Sequence, residues 1–178
     1  EDITKEEFAK FIIPDTTTIL ILNDSVAIPS KLPEGIQIIE MERAENVDHD
    51  SMGSVADYHS SSFTAENMAL FQNGIVIHIQ DNTVLEKPIQ LIHIIKGDAD
   101  SRIYPRVFVN VGKNSEAEIF QIETGGDYHN HFVNSVTEVI VNENSRLQWT
   151  LMQDRNMQTG QVSSFNVALK NNAFASYN

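Results

Sequence analysis

Val111-Gly112-Lys113-Asn114-Ser115-Glu116-Ala117-Glu118 recurs 30 residues later as Val141-Asn142-Glu143-Asn144-Ser145-Arg146-Leu147-Gln148. A looser copy, Ala168-Leu169-Lys170-Asn171-Asn172-Ala173-Phe174-Ala175, follows after 27 more, and Gln80-Asp81-Asn82-Thr83-Val84-Leu85 reads as an earlier one. Each copy is the end of one apolar run, a polar corner containing Asn, and the start of another run. Asn tolerates the left-handed backbone region and its amide can bond neighbouring chain, so superposed corners could form an asparagine ladder. A unit of this length holding two strands suits a flattened parallel β-helix, with coils spaced by roughly 4.8 Å. The competing arrangement is an antiparallel sandwich whose turns resemble one another by chance.

Outward from the repeat, β-type patterning continues. Strands are expected over 75–79, 89–95, 107–111, 117–122, 133–141, 146–152, 162–169 and 173–177. In Arg146-Leu147-Gln148-Trp149-Thr150-Leu151 the apolar residues alternate with polar ones, the pattern of a strand covering a core on one side. Trp149 and Phe165 read as core. The fold class is therefore all-β, a solenoid, preceded by a short α+β N-terminal segment. Residues 1–72 form that segment with an acidic connection, and 73–178 are the first coils of a β-helix core that continues beyond this sequence. The absence of an initial Met, and an end inside a strand-like run, read as part of a longer chain.

Within the N-terminal segment, Thr4 and Glu7 make a capping box before Phe8 and Phe11, and Pro14 ends the short helix. A hairpin is expected from 16–22 into Val26-Ala27-Ile28, a strand over 36–41, and an irregular acidic connection over 42–62. Helix formers resume at 65–71 with Thr64 as the cap.

The 178 residues carry 25 acidic and 12 basic side chains, a formal charge of −13, and residues 1–60 alone contribute −9. Such a surface repels nucleic-acid phosphate and anionic lipid, so neither is an expected partner. No apolar run approaches the roughly 20 residues of a membrane-spanning helix. Cysteine is absent, which removes disulfides, thiolate metal sites and cysteine nucleophiles from these residues. The acidic start has no signal-peptide character, and a cytoplasmic location is the expectation.

His129-Asn130-His131 is the one local constellation resembling a metal site, because residues at i and i+2 of a strand share a face. Glu138 or Glu123 would complete a two-histidine, one-carboxylate set for iron. This supports an alternative, a cupin-like metal-dependent β-barrel enzyme, although Glu138 stands too far beyond His131 for the cupin spacing. The simpler reading places His129 and His131 in solvent at the lip of a loop beginning Gly125-Gly126-Asp127. His93, inside Leu91-Ile92-His93-Ile94, reads as an inward histidine with a structural hydrogen bond, favoured over a proton carrier. His49 and His59 fall in the acidic connection, and His78 is expected to be exposed. Arg102 and Arg106 read as surface ion-pair partners of little net value. No phosphate-binding glycine loop, nucleophile elbow or zinc-protease helix motif is present. A polysaccharide-binding face is a third reading, weakened by a single Trp and four Tyr.

The chain resembles the SufB/SufD proteins of iron-sulfur cluster assembly, SufD more than SufB. The match is carried by Asn67-Met68-Ala69-Leu70-Phe71-Gln72-Asn73-Gly74-Ile75-Val76-Ile77, Leu85-Glu86-Lys87-Pro88-Ile89-Gln90-Leu91-Ile92-His93-Ile94, Pro105-Arg106, and Thr137-Glu138-Val139-Ile140-Val141-Asn142-Glu143-Asn144. Ile19-Leu20-Ile21-Leu22-Asn23-Asp24 and Leu32-Pro33-Glu34-Gly35-Ile36 resemble the family's entry segment. One departure is Gln80-Asp81-Asn82, where the family commonly has a Pro-x-Gly turn. The resemblance implies a right-handed β-helix in a cytoplasmic complex with a SufB-like paralogue and a SufC-like ATPase. It implies a non-catalytic scaffold supporting cluster formation and iron supply, with the ATPase activity in a partner. The iron-sulfur cluster belongs to the assembled complex, with no cofactor in this chain, and a homodimer is allowed for the isolated chain.

Overall fold

The computed structural model describes residues 8–23, 25–41, 52–97, 100–125 and 130–178. The elements in chain order are β1 (Thr17–Leu22), β2 (Ser25–Ala27), β3 (Ile36–Glu40), α1 (Ser62–Leu70), β4 (Gly74–Ile79), β5 (Ile89–Ile95), β6 (Arg102–Ile103), β7 (Arg106–Val111), β8 (Glu116–Gly125), β9 (Phe132–Val141), β10 (Arg146–Arg155), β11 (Gly160–Leu169) and β12 (Phe174–Tyr177). Two sheets result, one ordered β12-β10-β8-β5-β1-β2 and the other β11-β9-β7-β4-β3, with β6 beside β9. From β4 onward the chain passes back and forth between them, and every pairing among these later strands is parallel. This is a parallel β-solenoid of about 3 turns, and the antiparallel sandwich is excluded.

The corners show why the stack holds its register. Asn82, Asn114, Asn144 and Asn172 all have left-handed backbone, with φ of 60, 54, 59 and 56°. Their side chains form the expected ladder: Asn114 Nδ2 donates to Asn82 Oδ1 at 3.0 Å, Asn144 to Asn114 at 3.2 Å, and Asn172 to Asn144 at 3.2 Å. Beneath it, Ser115 and Ser145 are fully buried. The Ser115 N–H donates to Ser145 Oγ at 3.1 Å, and Ser115 Oγ accepts from the Thr83 N–H at 3.0 Å. Gly112 sits where coils approach closely: an added Cβ would lie 2.6 Å from the Asp81 nitrogen. Asn82 takes the left-handed position at the departure from the family turn.

The third copy is longer than its sequence alignment suggests. Asn144 stacks on Asn172 and Val141 pairs with Leu169, a step of 28 residues rather than 27. The opposite corner explains the contraction from 30: six residues join β8 to β9, whereas four join β10 to β11.

Inward positions align into rows through the registers. Ile38, Ile77, Val109, Val139 and Val167 form one row, and Thr17, Ile89, Ile119, Trp149 and Tyr177 another. Trp149 is fully buried and meets Phe165 edge-on at 5.0 Å between ring centroids. Close packing of β-branched side chains between flat sheets favours this composition.

The N-terminal strands join the same sheets. β1 runs parallel to β5, while β2 and β3 are antiparallel to β1 and β4 and complete the edges there. The sheets therefore end there on short strands of 3 and 5 residues, a way of limiting exposed edge. Helix α1 begins at Ser62, before the expected Thr64 cap; Ser61 is its N-cap, and Thr64 is 4% exposed within the helix. The Thr4–Glu7 capping box and most of the acidic connection lie outside the described residues. β6 has two residues, too few to carry a readable period. Among the described residues no helix is long and apolar enough to cross a membrane.

Replacing Asn114 by Val should lower the thermal unfolding midpoint, since a β-branched residue in left-handed backbone costs about 1–2 kcal/mol and the ladder loses a rung. Asn114→Gly should recover part of that loss by relieving the backbone while still lacking the amide; calorimetry of both variants measures the division.

Candidate functional site: two buried polar clusters

The outer face of the β7/β9 sheet carries a fully buried ion pair. Arg106 and Glu138 have side chains 1% and 0% exposed, and Arg106 Nη2 donates to Glu138 Oε1. The Glu138 carboxylate also accepts backbone N–H groups from Gly53 at 2.9 Å, Ala56 at 3.0 Å and Val55 at 3.3 Å. Arg106 Nη1 donates to Asn67 Oδ1 at 2.9 Å, and its guanidinium lies 5.6 Å from the Phe71 ring centroid. Asn67, on α1, donates in turn to the carbonyls of Pro105 and Asn134 at 3.1 and 2.7 Å. Asn134 donates to the Phe63 carbonyl and to Glu66, which accepts from Tyr104. Residues 53–71 are thus held to the sheet by directed polar contacts, with Arg106 Nε and Asn134 Oδ1 the buried atoms of the network that have no hydrogen-bond partner among the described residues. Arg106 is a buried clamp rather than the expected surface ion-pair partner, because α1 and the 53–56 backbone cover it. Arg102, 3.6 Å from Glu66, is the exposed one.

A second cluster lies inside the solenoid, at the end away from the asparagine corners. Ile21, His93, Glu123 and Gln153 occupy one inward row. Glu123 is 1% exposed and accepts from Gln121 at 2.8 Å, from Gln153 at 3.1 Å and from Gln161, with Arg155 3.6 Å away. Gln121 also accepts from the Trp149 indole at 3.1 Å. Arg155 donates to Gln161 Oε1, to the Thr124 carbonyl and to His93 Nδ1, the last at 3.0 Å. His93 is therefore inward and hydrogen-bonded as expected, and 2% exposed. Burial, and then the neighbouring Arg155 charge, lower its pKa from 6.5 to about 3. Burial likewise lowers Arg155, with Glu123 opposing. The inward parity of 117–122 already falls on Gln121, and extending the alternation of 117–122 and 146–152 onward would have flagged Glu123, Gln153 and Arg155.

The histidine-rich motif is only partly within the described residues. His129 lies outside them. His131 is 2% exposed, not solvent-facing, because Ser101 on the preceding coil bonds its Nδ1 at 2.7 Å and the stack closes over it. Both carboxylates considered as third ligands are engaged elsewhere: Glu138 faces outward to Arg106 and the 53–56 backbone, and Glu123 faces inward to three amides. Among the described residues no group of three or more His, Cys, Asp or Glu is placed to hold a metal. His59 is exposed against Tyr58, His78 is half-buried rather than exposed, and His49 lies outside the described residues.

Glu138→Ala leaves a buried guanidinium and three backbone donors unmatched, and should cost on the order of 3–5 kcal/mol, read by denaturant unfolding. The double variant Arg106→Met with Glu138→Leu should lose less, because the orphaned charge is removed. His93 contributes stability in full above pH 6.5, where both states are neutral. Between 6.5 and about 3 the unfolded chain binds the proton that folded His93 refuses, so stability falls as pH drops, with a slope of about 1.4 kcal/mol per pH unit. Unfolding measured across this range should show a shallower slope for His93→Gln.

Two family models divide the sequence between them. Residues 12–91 match the SufBD protein N-terminal region, and residues 93–178 match the SufBD core domain of the SUF system for FeS cluster assembly. No curated protein matches the chain. With the solenoid carrying the core-domain match and the preceding strands and helix carrying the N-terminal one, the chain belongs to the SufB/SufD family of iron-sulfur cluster assembly proteins.

Proposed function

We propose that this chain is a SufD-like scaffold subunit of a complex with a SufB-like paralogue and a SufC-like ATPase. In that complex iron and sulfide are the substrates and the cluster is the product. The chain supports cluster formation and iron supply without catalysing a reaction or holding a cofactor of its own, in the cytoplasm. The observation that carries this reading is the use made of the buried ionisable groups. Glu138 and Arg106 neutralise each other while clamping the N-terminal segment, and Glu123 and Arg155 do so while cross-linking coils. Groups consumed this way rigidify a platform. The SufD-like assignment over a SufB-like one rests on the absence of cysteine from these residues, which leaves thiolate ligation and sulfide handling to another chain.

The full-length protein should be co-expressed with the SufB-like and SufC-like proteins of the same cell and run by size exclusion with mass analysis. A stable complex of all three is expected, with ATP hydrolysis abolished by a Walker-type substitution in the SufC-like protein alone. A free chain that ignores both partners and carries stoichiometric iron lost with His129 and His131 replacement would overturn the scaffold reading.

A further inference from the structure

We propose that the solenoid interior contains a specific binding site for one structural water molecule, held by His93 Nε2 between the two sheets. The site is a cavity of about 10 Å³, lined by His93, Gln121, Glu123, Ser135 and Thr137 among apolar neighbours that include Leu91. That volume is one water molecule's worth of space.

The chemistry of the ligand follows from the bonds around the ring. A guanidinium only donates, so the 3.0 Å contact from Arg155 makes His93 Nδ1 an acceptor. The proton of the neutral ring is then on Nε2, which is buried and has no hydrogen-bond partner in the protein. The ligand must accept from that N–H, which excludes a metal cation. The Glu123 carboxylate lines the same cavity and disfavours an anion. A neutral molecule that accepts and donates satisfies both conditions. Its own hydrogens have acceptors available at the Ser135 and Thr137 hydroxyls; Ser135 spends its proton on Ser163 at 2.9 Å, leaving its oxygen to accept. A buried polar donor left without such a ligand would cost about 1–3 kcal/mol. The Asn23 backbone lies near the ring and raises the His93 pKa as a hydrogen-bond acceptor would, but Nε2 meets no acceptor in hydrogen-bonding geometry among the described residues.

The inference is independent of the functional reading above. It is tested by a crystal structure of the full-length protein at a resolution that shows ordered solvent, paired with nitrogen NMR of His93. The expected result is one solvent peak about 2.7–3.2 Å from Nε2, with the imidazole as the Nε2–H tautomer and its proton protected from exchange while cross-relaxing with a long-lived water. An empty cavity would overturn the proposal. So would a ring turned to bond the Asn23 carbonyl directly, an Nδ1–H tautomer, or a protected proton with no water cross-peak.

Discussion

The stacking of one coil on the next in parallel register is the constraint on which the structure depends. A flattened coil must reverse sharply at each end, and at one end it does so through a residue in left-handed backbone, supplied by Asn82, Asn114, Asn144 and Asn172. Because these residues superpose, the amide of each bonds the one before it, and the buried serines beneath repeat the link. Register follows from this. A slip of one residue would turn every inward Val and Ile to solvent, so corner chemistry and core composition specify the same alignment.

The interior built on that register is graded. Near the asparagine corners it is aliphatic, with Ile79, Val111, Val141 and Ile77 buried without polar neighbours of their own rows. Toward the other end the inward positions become Gln121, Glu123, Gln153, Arg155 and His93, cross-bonded between coils. A polar interior in low dielectric is stabilising only when every member is satisfied. That condition makes this end of the solenoid less tolerant of substitution than the aliphatic end, where shape and volume suffice. The outer cluster around Glu138 satisfies its carboxylate in full in a different place, while Arg106 Nε and Asn134 Oδ1 beside it have no hydrogen-bond partner among the described residues. A carboxylate that accepts three backbone N–H groups and a guanidinium ties the N-terminal segment to the sheet by direction as well as by area.

Legibility differed between these parts for physical reasons. The strands of the core were readable because alternation and β-branched composition are local signals, and the 89–95 strand coincides with β5. The corner ladder was readable because Asn at a repeated position has a specific use. The 27-residue spacing failed by one, since sequence similarity aligned Ala168 with Val141 while hydrogen bonding aligns Leu169. The start of α1 lies earlier than expected because Thr64 resembles a cap but is buried within the helix, which Ser61 caps. Arg106 and His131 were both assigned to solvent, and both are buried by chain distant in sequence: α1 and the 53–56 backbone in one case, the Ser101 coil in the other.

The sequence by itself determined the solenoid, its repeat, the aliphatic rows and the family, because each is written in residue identities at short, regular spacing. Only the tertiary structure decided what the charged and polar residues do. Whether Glu138 faces a metal ligand or a backbone cradle, and whether His93 meets Arg155 or solvent, depends on which strand lies beside which and on what covers the outer face. Those pairings join residues up to 85 positions apart, as Gly53 and Glu138 are. No local pattern carries that information, because the field at a side chain is set by its neighbours in space rather than in the chain.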